Sequence, residues 1–228
     1  MPQPAEFELF AFWRSSATFR VRVALNLKGL TAHEHLINID AGEQRSEAFL
    51  KINPLGGIPA LVVPGHAPIT QSLAMLEFLD EFQPAPPQLP SDLHGRARVR
   101  SIAGMLASDT HPLVTPRVRK YLSTQLSTQL SIQGGFDDAA WRAWQVQWFG
   151  TGMAAVEQRL ASEAATGHFC HGDQPTTADI CLASIVAVVR VFKITLPGLP
   201  TIDRIIAHCD AHEAFAKAAP SRQVGAPA

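Results

Sequence analysis

Cysteine is scarce: Cys170, Cys181 and Cys209 are the only three in 228 residues. Odd in number and widely spaced, they exclude a secreted scaffold held by disulfides and fit reduced thiols in the cytoplasm. Long apolar runs are lacking as well. The longest strongly apolar one, Ile180 to Val189, lies between Asp179 and Arg190 and is about half of what a bilayer requires, so no membrane span is expected. Nor is there an excess of charge of either sign. Nineteen Lys+Arg against twenty Asp+Glu leave a formal charge of −1, which argues against a nucleic-acid partner, whose affinity rests on neutralising phosphates. Arg96, Arg98 and Arg100 are the best basic cluster, and at helical spacing they read as a solvated face. The opening residues, Met1 to Glu6, have neither the cationic end nor the apolar stretch of a signal peptide.

What is present is an ordinary globular composition, 46% hydrophobic and 17% charged. A chain of this length removes roughly 70% of its extended surface from water without a metal or disulfide staple. Its length favours two domains, and a proline-rich segment, Pro84 to Pro90, supplies the boundary, because neither helix nor central strand tolerates it. Residues 1–84 mix short apolar runs with helices. Residues 91–228 read as all-helical: Val99, Ile102, Ala103 and Leu106 mark one helix, and Trp141, Trp144, Trp148, Val156 and Leu160 another, after a Gly134-Gly135 break. Thr176 and Asp179 stand at capping-box spacing before a third, Thr201 to His212 forms a fourth, and Pro220 to Ala228 is expected to be a loose tail.

In the first half, Phe7 to Phe12 reads as a strand. Residues 17–27 alternate apolar and polar, the period of a strand, yet their length, the Ser15/Ser16 cap candidates and Gly29 behind Lys28 suit a helix buried on two sides. His33 to Ile39 is a second strand and Arg45 to Lys51 a short helix. Ala60 to Val63 and Ala67 to Ile69 flank Pro64-Gly65-His66 as a hairpin, and Leu73, Leu76, Leu79 and Phe82 mark a closing helix. With the ambiguous segment taken as helix, the order is βαβ, helix, ββα. That is the thioredoxin-like order, here in an α+β domain followed by an all-α one.

Three places on that domain suit an anion or an extended peptide. Arg14-Ser15-Ser16 lies between a strand end and a helix start, where unpaired N–H groups favour negative charge; the same serines serve equally as plain helix caps. In Asn53-Pro54-Leu55-Gly56-Gly57-Ile58-Pro59, a cis bond at Ile58-Pro59 would turn the main chain of Ile58 outward to pair with a peptide, whereas a trans one would simply open an edge strand. Gln71-Ser72 sits at another helix start. No metal is expected: His208 and His212 are one turn apart, but Cys209 stands where a zinc-protease helix carries its Glu.

The stretch Arg14-Ser15-Ser16-Ala17-Thr18-Phe19-Arg20-Val21-Arg22-Val23-Ala24-Leu25 resembles the signature of the zeta-class glutathione transferases, the maleylacetoacetate isomerases. Asn53-Pro54…Ile58-Pro59-Ala60-Leu61, Gln71-Ser72-Leu73-Ala74, Gly172-Asp173…Thr176-Thr177-Ala178-Asp179 and Glu213-Ala214-Phe215…Pro220-Ser221-Arg222-Gln223 match in order. Phe12 to Ser15 and Asn26 to Gly29 also look like the related glutathione-dependent maleylpyruvate isomerases. The resemblance spans residues 6–223 and decides for a helix over 17–27. It implies a cytoplasmic homodimer of glutathione transferase architecture, acting in aromatic amino acid catabolism on an unsaturated keto acid or another small electrophile. Residues 91–228 would contribute the pocket for that substrate. The implied reaction is glutathione-dependent cis–trans isomerisation of a diketo acid. A general transferase or dehalogenase, and a non-catalytic interaction protein of the same fold, are the alternatives.

By the same resemblance, Ser15, aided by Ser16, donates a hydrogen bond to the glutathione thiolate. Arg14, which flanks Ser15 and cannot lose its charge, is the candidate donor to the keto oxygen or clamp for a carboxylate, a surface or interdomain ion pair being the alternative. The main chain of Ile58, before Pro59, would pair with the cysteinyl unit, while Gln71 and Ser72 hold the γ-glutamyl carboxylate. Gln44 and His111 fall where the family has further polar contacts. Lowering a thiol pKa by about two units requires roughly 2.7 kcal/mol; one charge-assisted hydrogen bond (about 1.5–3) and a helix N-terminus (about 0.3–1) supply that. Three departures stand out: Ala17 replaces the family cysteine, Val191 replaces an isomerase arginine, and Val114 and Thr115 replace amide residues. A substrate carboxylate would then fall to Arg14 or Arg190.

Overall fold

Phe7, Leu9 and Ala11 are buried while Glu8 and Phe10 between them are not, the alternation that makes β1 (Phe7–Ala11) a strand with one face on the core. The computed structural model describes residues 7–126, 129 and 135–227; the opening segment and Gly134 lie outside the described residues. After β1 come α1 (Ser16–Leu27), β2 (Ala32–Leu36), a 3-10 turn (Glu43–Arg45), α2 (Glu47–Ile52), β3 (Ala60–Val62), β4 (Ile69–Thr70) and α3 (Ser72–Phe82). The sheet order is β2-β1-β3-β4; β1 and β2 run parallel, and β3 lies antiparallel to both β1 and β4. This is the βαβ, helix, ββα order expected. Differences are local: β1 stops at Ala11, β2 at Leu36, and the short helix starts later because the Ser46 hydroxyl caps it by accepting from Phe49 N–H at 3.2 Å.

The ambiguous segment is helix α1. Its strand-like alternation arises because nearly every side chain from Thr18 to Leu25 is buried: α3 packs on one side, and two helices of the C-terminal half on the other. A helix enclosed in this way has no polar stripe to reveal a 3.6-residue period.

Among its described residues the C-terminal half has helices and helical turns as its only named elements, apart from an isolated bridge between Thr166 and Gly172. It comprises α4 (Leu93–Gly104), a π-helical stretch (Met105–Thr110), a 3-10 turn (His111–Val114), α5 (Pro116–Tyr121), α6 (Asp138–Ser162), α7 (Thr177–Val191), α8 (Pro200–Ala211) and α9 (Glu213–Ala218). At the start of α7 the fully buried Asp179 accepts from Thr176 N–H at 2.8 Å and from Cys170 N–H at 2.6 Å, so the expected box also fastens the preceding turn. Trp141 belongs to the core, and Trp144 donates to the Leu113 carbonyl at 2.7 Å.

Two expectations for this half fail. Arg98 is no solvated charge: it pairs with Glu163 and donates to the Cys170 carbonyl and, at 2.8 Å, to Thr166, because α4 turns that face towards the 163–171 turn. The tail is not loose up to Gln223 either. Pro220–Arg222 is a 3-10 turn, and the Gln223 amide donates to the Lys217 and Ala219 carbonyls at 2.8 and 3.0 Å. One hydrophobic core runs from β1, α1 and α3 into α4, α6, α7 and α8.

Candidate active site

Strand register alone gathers the three predicted places. Phe10 of β1 lies opposite Ala60 of β3, and Ala60 opposite Thr70 of β4. Ser15, Ile58-Pro59 and Gln71-Ser72 therefore leave the sheet at one end.

Ser15 is the N-cap of α1. Its oxygen accepts from Thr18 N–H at 3.2 Å, the residue is half-buried, and its hydroxyl hydrogen has no acceptor among the described residues. Ser16 differs. It is 2% exposed, its hydroxyl donates to Ser184 Oγ at 3.2 Å, and it accepts from Arg20 at 3.4 Å; its one hydrogen is spent inside the protein. Arg14 forms an ion pair with Asp40 at 2.5 Å, and its guanidinium lies 5.4–5.6 Å from the ring centroids of Phe12, Trp13 and Phe192. Its charge is already matched.

The loop before β3 is folded by Asn53, whose buried side chain donates to the Gly57 carbonyl at 2.6 Å and accepts from Leu55 N–H at 3.2 Å. Gly56 has φ +63°, and a Cβ there would approach the Gln44 carbonyl oxygen to 2.7 Å. Both the left-handed conformation and the close approach demand glycine. That approach sets Gln44 beside the loop, with its Nε2 donating to the Ile39 carbonyl at 3.4 Å and its buried Oε1 without a partner. The Ile58-Pro59 bond is cis. No described turn or loop hydrogen bond uses the main chain of Ile58.

Gln71 is exposed and has φ +69°, unusual for a residue with a side chain; such conformations persist where the surroundings enforce them, often at functional positions. Ser72, 7% exposed, opens α3 and accepts from the Arg20 guanidinium at 2.9 Å. Arg20 thus joins the starts of α1 and α3. His111 completes the group from the helical half: burial, with the positive charges of Arg20 and Arg117, pushes its pKa down to about 3, leaving the imidazole neutral.

Arg117, which the sequence alone did not single out, is the other charge that acts on His111. It is exposed and has no ion-pair partner among the described residues. Arg190, by contrast, is held by both carboxylate oxygens of Asp210 at 2.9 and 3.1 Å. It lines, with Val191, a groove of about 350 Å³ that Ser15, Ser72 and His111 do not line. Arg190 is therefore paired and placed away from Ser15, Ser72 and His111.

A family model described as the glutathione S-transferase N-terminal domain matches residues 14–81. Maleylacetoacetate isomerase of Pseudomonas aeruginosa is 37% identical over 223 residues, covering 97% of this chain and 99% of its own. The chain belongs to this isomerase family of zeta-class glutathione transferases. Among its solved members, maleylacetoacetate isomerase of Methylobacterium extorquens AM1, determined with malonate and glutathione bound, superposes with a TM-score of 0.90 at 42% identity, over 97% of this chain and all of that one. The holo structure of a bacterial zeta-class maleylpyruvate isomerase gives 0.89 at 35% identity, over 96% and 100%.

Proposed function

We propose that this member of the family is a glutathione-dependent cis–trans isomerase of an unsaturated diketo acid of the maleylacetoacetate type, and a glutathione transferase in the wider sense. The observation that carries the reading is the convergence, at one sheet end, of a half-buried serine hydroxyl free to donate with a second serine backed by a buried guanidinium. Glutathione fits these residues. The unpartnered Gln44 Oε1 suits an N–H donor, the Ile58 main chain suits an extended cysteinyl unit, and Ser72 with Gln71 at the start of α3 suits a carboxylate.

When bound, glutathione supplies a thiolate that adds to the cis double bond and leaves after rotation about the resulting single bond. Ser15 stabilises the thiolate by donating its hydroxyl hydrogen while its oxygen keeps the cap bond to Thr18. Ser16 acts at most through the buried network that holds α1. As charge grows on the keto oxygen, a fixed positive charge nearby lowers the barrier more than it aids binding. Arg117, rather than the paired Arg14, is the cation for that role or for a substrate carboxylate. Arg14 orders the segment before Ser15 through Asp40, and neutral His111 offers a hydrogen bond without adding charge.

In this reading residues 1–84 supply the glutathione side and residues 91–228 the acceptor side. A cytoplasmic homodimer in aromatic amino acid catabolism belongs to the same reading. It is supported by three buried free cysteines and by exposed Phe82 and Leu93 beside the linker. Side-by-side assays with maleylacetoacetate, maleylpyruvate and an aryl halide test it. Isomerisation of one cis diketo acid, dependent on glutathione, is the expected result; conjugation of the halide alone would overturn the isomerase reading.

A further inference from the structure

Arg20 is 2% exposed, and no ion pair with a carboxylate is found for it among the described residues. Its Nε is buried without a partner. The two titratable groups that face it electrostatically are both neutral at pH 7. Burial pushes the Cys181 thiol up to about 11, and His111 is pushed down to about 3. A guanidinium does not shed its proton to escape such a site, so this is a buried cation that the described part of the chain leaves without a counter-charge, an arrangement that is costly when nothing else supplies one.

Proton polarity shows where the missing anion belongs. A guanidinium only donates, so each serine bonded to it must accept and pass its own hydrogen onward. Ser16 accepts from Arg20 and donates to Ser184, whose hydroxyl donates to the Cys181 carbonyl at 2.7 Å. That relay closes inside the protein. Ser72 accepts from Arg20 at 2.9 Å, and its hydrogen has no acceptor among the described residues. Ser72 is also the first residue of α3, where the backbone N–H has no intrahelical partner. Two donors on one residue with a positive charge behind them are complementary to one carboxylate.

We infer that Arg20 is a positioning residue: it forces Ser72 to donate outward and supplies the counter-charge for the γ-glutamyl α-carboxylate of glutathione. The inference rests on the glutathione reading above. Arg20 touches no ligand itself and acts through Ser72, whereas a merely structural clamp between α1 and α3 would affect all ligands alike.

The test is calorimetric titration of the full chain with glutathione and with 4-aminobutyryl-cysteinylglycine, which lacks only that carboxylate. Wild type is expected to prefer glutathione by about tenfold or more, the value of one hydrogen bond to a charged group. Arg20→Met and Ser72→Ala should each bring the preference close to unity, and the double variant should lose nothing further. Arg20→Lys, which keeps the charge, should retain part of it. A structural role would weaken both ligands equally and leave the ratio standing, which overturns the inference. If Arg20→Met does not fold, Ser72→Ala decides, since an undiminished preference in it also overturns the relay. Wild type that binds glutathione without preference refutes the relay alone; wild type that binds neither ligand refutes the glutathione reading and the relay with it.

Discussion

Replacing Ser15 with alanine removes two separable things that one hydroxyl does. Its oxygen caps α1 by accepting from Thr18 N–H at 3.2 Å, and losing a cap costs about 1 kcal/mol, or about 2–4 °C in melting temperature for a chain of this size. Its hydrogen is free to stabilise a thiolate. A hydrogen bond to a charged acceptor is worth about 1.5–3 kcal/mol, so its loss should raise the bound thiol pKa by about 1–2 units, at 1.36 kcal/mol per unit. Turnover at neutral pH should fall about 10²-fold, by analogy with removal of one anion-hole donor. Ser15→Gly separates the two effects, because glycine at an N-cap costs only about a few tenths of a kcal/mol. The glycine variant should melt close to wild type yet lose as much activity and thiolate as the alanine variant. Thiolate absorbance against pH at saturating glutathione, steady-state rates and thermal melts read all three quantities. An unchanged thiol pKa in both variants would remove Ser15 from the chemistry, and a glycine variant that regained activity would show that only the cap mattered.

His111 should make folding stability depend on acidity. Its folded pKa, about 3, lies below the ordinary 6.5, so between these values the unfolded chain binds the extra proton. The contribution is complete above pH 6.5 and falls with a slope of at most about 1.4 kcal/mol per unit as pH drops towards 3; urea titrations should show that limb flattened in His111→Gln. Arg117→Gln should raise KM for the acid substrate about tenfold while leaving the glutathione thiol pKa unchanged, and it should move the His111 imidazole upward in an NMR titration; an unchanged KM would count against the substrate role. Gln71→Gly relieves a φ of +69° and should stabilise the chain by about 1 kcal/mol in urea unfolding while weakening glutathione retention on an affinity column. A less stable variant would mean that the Gln71 side chain contributes more to the fold than its backbone strain costs.

Much of the architecture was legible in residue order because its determinants are local. The apolar run Phe7 to Phe12, the Pro64-Gly65-His66 turn, the Thr176–Asp179 box and the proline-rich break all involve neighbours within a few positions, and the fold uses each one. The helix α1 was not legible from its own pattern, since burial on two sides erases the period by which a helix is read, and only likeness to relatives decided it. The site motifs were legible as residue types at helix starts. Their division of labour was not, because it depends on which distant group reaches which atom. Ser15 and Ser16 are indistinguishable neighbours until Ser184, 168 positions away, takes up one of them. Arg14, Arg98 and Arg190 are interchangeable cations until Asp40, Glu163 and Asp210 neutralise them. Arg20 looks like one more charge on a helix until tertiary packing buries it between Ser16 and Ser72. Local sequence thus determined the elements and the kinds of side chain at their ends. The tertiary structure decided which charges are matched and which hydroxyl hydrogens remain free, since both depend on distances that only the packed chain sets.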